Sequence, residues 1–212
     1  MFPGVLPGAS VDALGLAASG FPRSRAGARH LMRESHVERL AGDRRLLDLA
    51  SAALDSPAQP YRATLFEKSG DANWLVVWHQ DTALPLSARH EADGWGPWST
   101  KAGVLYAHAP ASALQKIVAL RVHLDDSTPA NGPLRVIPGS HNLGVLSDAD
   151  IAALVGRERS HECTVARGGV VAMRPLVVHA SSKSAVPDPR RVLHIEYTSE
   201  MSLAPGYTLR VA

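Results

Sequence analysis

The feature that most constrains the fold of this chain is a change in hydrophobic periodicity after its N-terminal part. Between Ala28 and Leu54, leucine and valine recur at three- and four-residue steps among charged residues, which predicts one or two amphipathic helices. Ser56-Pro57 ends that region, because the residue before a proline disfavours helical backbone. From Tyr61 onward, short apolar runs alternate with turn residues, which predicts strands. Helices followed by short, interrupted strands favour a β-sandwich or barrel with an N-terminal helical layer.

The strand signal is carried by several short segments, namely residues 61–66, 74–78, 117–124, 134–137, 170–180 and 190–198. The turn-rich sequence DDSTPANG joins the third segment to the fourth, so we expect these two to form a hairpin-like pair. Residues 147–160 predict a short helix. Residues 82–116 show no strong element, and so long an irregular stretch in a compact domain is usually functional or mobile.

The length of 212 residues suits one sizeable domain, since barrels and sandwiches commonly reach it as a single unit. No shift in composition marks a second domain. We therefore expect one domain over residues 1–212, with an arm or partly ordered lead-in at 1–26, a helical layer at 28–54 and a β core at 61–198. The lead-in is rich in Gly, Pro, Ala and Ser and has only a weak helical pattern.

Composition and charge exclude several classes of partner. The net charge of +2 and the scattered arginines predict no nucleic-acid partner. The one cysteine, Cys163, cannot form an internal disulfide and suits a reducing compartment. No apolar run approaches the ~20 residues that span a bilayer, and no positive charge precedes the apolar N-terminus as in a secretory signal. We expect a cytoplasmic protein that acts on a small molecule, and composition predicts no oligomeric state.

The stretch WLVVWHQD, residues 74–81, ends an apolar run with an imidazole and a carboxylate two positions apart. A buried ionised carboxylate needs a partner or a metal ion, and side chains two apart on a strand share a face. His179 ends a second apolar run, and two histidines with one carboxylate form the facial triad of non-haem Fe(II) enzymes. Spacing alone leaves another interpretation open, in which Asp81 begins a turn and His79 hydrogen-bonds a neighbour.

Two arginines, Arg190 and Arg191, follow His179 after a proline-rich turn. A guanidinium at such a site can bind the distal carboxylate of a dicarboxylate co-substrate through two hydrogen bonds. Neighbouring side chains on a strand point to opposite faces, so only one of the two arginines can serve.

Three segments together, WHQD, LDDSTPANGPLRVIPGSH and HASSKSAVPDPRRVLHIEY, resemble the phytanoyl-CoA dioxygenase family in order and separation. The resemblance runs from about Tyr61 to Tyr197. It implies an Fe(II)- and 2-oxoglutarate-dependent oxygenase on a double-stranded β-helix, a jelly-roll and cupin-like fold that is mainly β, with O₂ as the oxidant. The N-terminal helices are compatible with it.

The resemblance also implies roles for particular residues. His79, Asp81 and His179 would be the iron ligands, and the retained Asp81 favours hydroxylation, since related halogenating enzymes have a small residue at that position. Arg190 matches the arginine that binds the C5 carboxylate of 2-oxoglutarate, with Arg191 as its rival.

Two further residues would assist at the co-substrate pocket by the same resemblance. Ser181 matches a serine that supports the C5 carboxylate, and Trp98 matches a tryptophan that lines the pocket.

Other side chains are weighed by their place in the sequence. Lys101 and His108 lie in the long irregular segment and are the candidates for substrate contact, because specificity usually resides in loops over a rigid scaffold. Trp74 and Trp78 are four apart on a predicted strand and are expected to pack in the core.

His123 and His194 lie in strands with apolar neighbours and are expected to be structural, and Cys163 is expected to be inert. His141 in the IPGSH turn is expected to bond local backbone.

The sequence thus predicts a dioxygenase that hydroxylates a small organic substrate and converts 2-oxoglutarate to succinate and CO₂. Two alternatives stay open. One is a cupin-like metalloenzyme that does not use 2-oxoglutarate and has no need of Arg190. The other is a non-catalytic metal-binding module on the same fold.

Overall fold

The structure is a computed structural model that describes residues 1–21, 27–69 and 72–212. Its helices are α1 (Gly8–Ala18), α2 (Ser35–Ala41), α3 (Arg44–Leu54), α4 (Ala111–Leu114) and α5 (Asp148–Arg157). Its strands are β1 (Gly27–Arg29), β2 (Gln59–Lys68), β3 (Val76–His79), β4 (Ala83–Leu86), β5 (Trp98–Lys101), β6 (Val104–His108), β7 (Ile117–His123), β8 (Leu134–Val136), β9 (His161–Cys163), β10 (Val170–Met173), β11 (His179–Ser181), β12 (Arg190–Thr198), β13 (Ser202–Ala204) and β14 (Tyr207–Thr208).

Two antiparallel sheets form the body of the molecule. The larger has the strand order β1-β2-β12-β7-β10, and the smaller has the order β3-β11-β8-β9. Side chains of both sheets line one cavity, so the sheets face each other as the two halves of the predicted double-stranded β-helix. A three-stranded sheet, β4-β6-β5, and the hairpin of β13 and β14 are added to this body.

The larger sheet has two chemically different faces. On β12, Leu193, Ile195 and Tyr197 belong to the main apolar core, which also contains buried side chains of α1, α2 and α3. The alternate residues Arg190, His194 and Glu196 are buried on the opposite face. Strand side chains alternate in this way because the backbone is pleated. The helices thus cover the apolar face, and the polar face is turned into the space between the sheets.

The helical layer contains the predicted amphipathic helices as α2 and α3. The side chain of Asp43 caps α3 by accepting a hydrogen bond of 2.9 Å from the backbone N–H of Arg45, which satisfies a donor that the first helical turn leaves unpaired. Leu46 and Ala50 face the core one turn apart. The predicted short helix at 147–160 is α5.

The N-terminal segment predicted as an arm carries a packed helix where the structure describes it. Val11, Leu14 and Ala18 on one side of α1 are buried in the main core. Phe2 forms an isolated antiparallel bridge with Val170. Residues 22–26 of the predicted arm lie outside the described residues, and the division into arm, layer and core stays a prediction.

The prediction of an irregular stretch at residues 82–116 is wrong. This stretch forms β4, β5, β6 and α4. The strands have only four or five residues, too few for a clear alternation, and β4 contains Pro85. The β5–β6 turn places Ala102 at φ 46° and Gly103 at φ 77°. Positive φ at both positions is the type I′ hairpin geometry, which usually has Asn or Asp where this chain has alanine.

The expected pairing of residues 117–124 with 134–137 is also wrong. β7 pairs with β12 and β10, whereas β8 pairs with β11 and β9, so the connection crosses from one sheet to the other. Gly132 in this crossing has φ +66°, and a Cβ there would lie 2.2 Å from the backbone oxygen of Ser182. The glycine therefore marks a close approach of the crossing to the chain after β11, not a hairpin turn.

None of the helices in the described parts of the chain is long and apolar enough to cross a bilayer.

Candidate metal centre and its two cavities

The histidines and the aspartate predicted as a triad meet where β3 pairs with β11. His79 lies opposite His179 in this antiparallel pair, and their ring centroids are 4.2 Å apart. Asp81 follows β3, and its Oδ1 is 3.7 Å from His79 Nε2 while its Oδ2 is 3.6 Å from His179 Nε2. One ligand atom from each residue lies within 4.8 Å of the others. Two imidazole nitrogens and a carboxylate oxygen in this arrangement fit one divalent ion of the facial-triad type.

Backbone carbonyls fix the tautomers of both histidines. His79 Nδ1 is 2.8 Å from the carbonyl of Val77, and His179 Nδ1 is 2.9 Å from that of Val177. A carbonyl only accepts hydrogen bonds, so Nδ1–H must be the donor in each ring. Each Nε2 is therefore free to offer its lone pair to a metal, the orientation that outer partners commonly impose on metal-binding histidines.

Electrostatics favour a cation-binding protonation state at two of the three candidate ligands. At the third, His79, burial acts to lower the pKa, but the contact with Asp81 raises it. Burial lowers the pKa of His179 to about 4, which keeps its ring neutral at neutral pH. Burial acts to raise the pKa of Asp81, but the imidazoles of His179 and His79 outweigh it and hold that pKa well below its usual range. Metal ligands must be deprotonated to bind, and both His179 and Asp81 are deprotonated at neutral pH.

A cavity of about 100 Å³ opens on one side of the triad. We call it the inner cavity, and it is lined by Phe66, Lys68, Trp74, Val76, His79, Asp81, Arg121, Leu134, His179, Ala180, Ser181 and Arg190. Among these residues, three are cationic and Asp81 is the one carboxylate. The lining of the inner cavity therefore has an excess of positive charge.

Arg190 and Ser181, both predicted to bind the co-substrate, line the inner cavity together. Arg190 is 4% exposed, and its Nε donates a 3.1 Å hydrogen bond to the carbonyl of Asn131. Ser181 Oγ lies 3.5 Å from Arg190 Nη2 and donates to the carbonyl of Gly132 at 2.8 Å. Burial, followed by the charge of Arg121, lowers the pKa of Arg190 to about 10, so the guanidinium stays charged at neutral pH.

Arg191, the rival of Arg190, points to the other face of β12. Its Nη2 and Nε lie 2.8 and 2.9 Å from the two carboxylate oxygens of Asp125. Its charge is therefore already balanced by a carboxylate of the chain, whereas no carboxylate of the described residues is paired with Arg190.

Lys68 is a cavity residue that the sequence analysis missed. It is 1% exposed, it faces Arg190 across the β2–β12 pair, and its Nζ donates to Ser181 Oγ at 2.7 Å and to the carbonyl of Ser182. Burial, with added repulsion from Arg190 and Arg121, lowers the pKa of Lys68 to about 8. The alternation of polar residues along RATLFEK was the available signal, because Arg62, Thr64, Phe66 and Lys68 share one face of β2.

Trp98, predicted to line the co-substrate pocket, lies away from both cavities of the triad. Its ring stacks on Tyr207 at 6.4 Å and carries the guanidinium of Arg89 at 5.6 Å. Trp74 lines the inner cavity instead, with Lys68 Nζ 5.7 Å from its ring centre. Trp74 precedes β3 and is not on the strand with Trp78, so its expected place in the core beside Trp78 is wrong. Trp78 packs in the core beneath α5, as predicted.

A second, larger cavity of about 330 Å³ opens on the other side of the triad. We call it the outer cavity, and it is lined by Arg29, Arg62, Thr64, Phe66, His79, Gln80, Asp81, Thr82, Ala83, Lys101, Tyr106, His108 and His194. Lys101 and His108, the predicted substrate contacts, both lie here. They are brought to the triad by β5 and β6, the strands that the sequence analysis did not detect.

The remaining histidines of the larger sheet are buried. His194 Nδ1 is 3.2 Å from Arg121 and its Nε2 is 3.5 Å from Glu196, so its ring is held by neighbours, though it also reaches the outer cavity. His123 is 1% exposed, and neither ring nitrogen has a hydrogen-bond partner among the described residues. Cys163 is buried, and burial raises the pKa of its thiol, which opposes nucleophilic reactivity.

The amino-acid sequence is similar to those of characterised enzymes. The chain is 29% identical over 194 residues to L-proline trans-4-hydroxylase of Streptomyces griseoviridis, covering 78% of this chain and 63% of that protein. It is 25% identical over 185 residues to an ectoine dioxygenase of Sphingopyxis alaskensis, covering 77% of this chain and 54% of that protein. The chain therefore spans less than two thirds of the length of either relative.

Solved structures share the fold. The epimerase SnoN in complex with Fe³⁺, alpha ketoglutarate and nogalamycin RO superposes with a TM-score of 0.72 and 19% sequence identity, covering 94% of this chain and 78% of that one. The sequence matches the phytanoyl-CoA dioxygenase (PhyH) family over residues 20–192, well over half of the chain. The chain belongs to the phytanoyl-CoA dioxygenase family of Fe(II)- and 2-oxoglutarate-dependent oxygenases.

Proposed function

We propose that this protein is a non-haem Fe(II)- and 2-oxoglutarate-dependent dioxygenase that hydroxylates a small organic molecule. The observation that carries the proposal is the inner cavity, where the triad shares one space with the buried cations Arg190 and Lys68. Buried charges without a counter-ion are strongly unfavourable. A dicarboxylate that binds the metal at one end and Arg190 at the other supplies the missing negative charge.

The named relatives support this proposal. Two are called a hydroxylase of L-proline and a dioxygenase of ectoine, which are small molecules. The SnoN complex contains iron and alpha ketoglutarate. On this basis we assign Fe(II) to His79, Asp81 and His179, and 2-oxoglutarate to the inner cavity.

The chain's own residues would have separate tasks in the reaction. With Fe(II), 2-oxoglutarate and O₂ bound, the cofactor chemistry yields succinate and CO₂ and transfers one oxygen atom to a substrate C–H bond. Arg190 binds the distal carboxylate through two hydrogen bonds, and Ser181 adds a hydroxyl contact.

Two more lining residues complete the inner cavity. Lys68 places a second positive charge beside Arg190, and its position behind Ser181 keeps the hydroxyl oriented. Trp74 forms an apolar wall, which excludes water and strengthens the ionic contacts inside.

The test is the affinity of the Mn(II)-loaded protein for 2-oxoglutarate, measured by calorimetry, since Mn(II) occupies such a triad without turnover. Wild type should bind in the micromolar range. Arg190→Ala should lose about 2–5 kcal/mol, or roughly 30-fold or more in affinity, as truncation of a buried charge partner usually does. Arg191→Ala is the matched control, because Arg191 faces away from the cavity and pairs with Asp125. It should bind like wild type.

The outcomes separate the proposal from its alternatives. Metal-loaded wild type that does not bind 2-oxoglutarate would rule out the dioxygenase and favour a cupin-like metalloenzyme or a binding module. Unchanged 2-oxoglutarate binding by Arg190→Ala would show that Arg190 does not bind the distal carboxylate. Succinate release with Fe(II) and O₂ then distinguishes an enzyme from a non-catalytic module.

A further inference from the structure

The outer cavity has more positive charge than the chain neutralises. Three of its lining residues are cations: Arg29 at the end of β1, Arg62 on β2 and Lys101 at the end of β5. Arg62 is committed to the protein, because it forms a buried ion pair with Glu196 and donates to the carbonyl of Ala83 at 3.1 Å. Its charge is balanced within the fold.

Arg29 and Lys101 are not balanced in this way. Both are exposed at the cavity mouth, and neither forms an ion pair with a carboxylate of the described residues. Lys101 Nζ lies 5.0 Å from the ring centre of Tyr106, and its contact is with the face of that ring. The two cations are therefore available to a ligand in the cavity.

The surrounding groups show that these charges lie close together. Partial desolvation at the cavity lowers the pKa of Lys101, and the charges of Arg29 and Arg62 lower it further, whereas the charge of Asp81 raises it. Burial likewise lowers the pKa of His30, with contributions from Arg29 and Arg62. Lys101 and His30 are thus both close enough to Arg29 and Arg62 for these charges to lower their pKa values.

The opposite end of the outer cavity is the triad. Asp81 is the one carboxylate among the lining residues, and it belongs to the metal centre. Neutral polar groups lie between the two ends, including the pair of Thr82 Oγ1 and His108 Nδ1 at 2.7 Å. The volume of about 330 Å³ is within the range of sites for small molecules. A ligand with a negative group at the mouth would present its other end to the metal.

We propose that the hydroxylated substrate is a small organic acid whose carboxylate is held between Arg29 and Lys101, with the reacting C–H group directed at the triad. The planar guanidinium of Arg29 matches a carboxylate through two hydrogen bonds, and the single ammonium of Lys101 completes the site. This inference rests on the proposed function, because it concerns the substrate of the same metal centre.

The test uses holoprotein with substoichiometric Mn(II) and saturating 2-oxoglutarate, so that the inner cavity is filled. Proton NMR then measures paramagnetic broadening of probe signals for matched acids and amides: L-proline with L-prolinamide, and cyclopentanecarboxylate with cyclopentanecarboxamide. The Zn(II)-loaded protein supplies the diamagnetic baseline. We expect the proton signals of each acid to broaden at probe concentrations at least tenfold lower than those needed for its amide.

The variants Arg29→Gln and Lys101→Gln should each weaken broadening of the acids by about tenfold, since a charge-assisted hydrogen bond contributes about 1.5 kcal/mol or more. Lys101→Arg, which keeps the charge, should retain most of it. Arg159→Gln removes an exposed cation that lines neither cavity and should match wild type.

The inference is overturned if no acid is broadened, if acids and amides are broadened equally, or if Arg29→Gln and Lys101→Gln leave the acids unaffected. The affinity for 2-oxoglutarate is measured first on the same samples. Failure at that first step contradicts the proposed function, whereas failure only with the probes contradicts the organic-acid inference alone.

Discussion

His123 should lower the stability of this protein as the pH falls, and the substitution His123→Leu should remove that contribution. The ring lies on the interior face of β7, is 1% exposed and has no hydrogen-bond partner among the described residues. Burial, with repulsion from Arg121 and Arg190, lowers its pKa from 6.5 to about 3. The folded state therefore holds a neutral imidazole that the unfolded chain protonates readily.

The magnitude follows from proton linkage. Between pH 6.5 and 3 the unfolded state binds the proton and the folded state does not, so stability falls as pH falls. At neutral pH both states are neutral and this contribution is small. From pH 7 to pH 5 the loss is about 2 kcal/mol, and it approaches about 5 kcal/mol below pH 3, because each pKa unit corresponds to about 1.36 kcal/mol.

The assay is urea unfolding of wild type and His123→Leu at pH 7 and pH 5, with a chelator present. Leucine has a similar volume and leaves no polar group unpaired, so the variant should be at least as stable as wild type at pH 7. Its loss of stability from pH 7 to pH 5 should be about 2 kcal/mol smaller than that of wild type. His161→Leu, which removes an exposed ring, should keep the wild-type loss. Equal losses in wild type and His123→Leu would refute the reasoning.

Two further predictions concern the other buried charges. Because the pKa of Lys68 is about 8, the 2-oxoglutarate affinity of wild type should weaken by up to about tenfold from pH 7 to pH 9, as the ammonium loses its proton. Calorimetry on Lys68→Met should show weaker binding at pH 7 and no such decline, and a parallel decline in the variant would point to another group. Arg62→Met leaves Glu196 buried without its main partner and should lower the free energy of unfolding by about 3–5 kcal/mol in urea titrations. A loss below about 1 kcal/mol would mean that His194 alone satisfies the carboxylate.

The elements with long, regular patterns were predictable from sequence. The strand predicted at 190–198 has those bounds in the structure as β12, and the leucine periodicity of 28–54 produced α2 and α3. Segments of four residues carry too little alternation, so β4, β5 and β6 were missed. The hairpin expected at 117–137 failed because turn residues show that the chain reverses, but not which sheet the next strand joins.

The site was predictable only where local spacing carries the chemistry. The two-residue step from His79 to Asp81 is visible in the sequence, and strand parity correctly required Arg190 and Arg191 to face opposite sides. Lys68 and Trp74 reach the inner cavity through the register of β2 against β12 and through the chain before β3. The alternation along β2 shows that Lys68 shares a face with Arg62, but which cavity each side chain reaches is tertiary information.

One face of β2 extends along both cavities of the site. Arg62 and Thr64 line the outer cavity, Lys68 lines the inner cavity, and Phe66 borders both. Arg62 and Lys68 are six positions apart along the strand, about 20 Å at the usual rise.

Phe66 is one of three side chains common to the two cavities, the others being His79 and Asp81. The β4-β6-β5 sheet contributes only to the outer cavity. Under the proposed function, changes in that sheet would alter which molecule is accepted and leave the metal centre unchanged, so substrate choice and reactivity would be separable traits of this architecture.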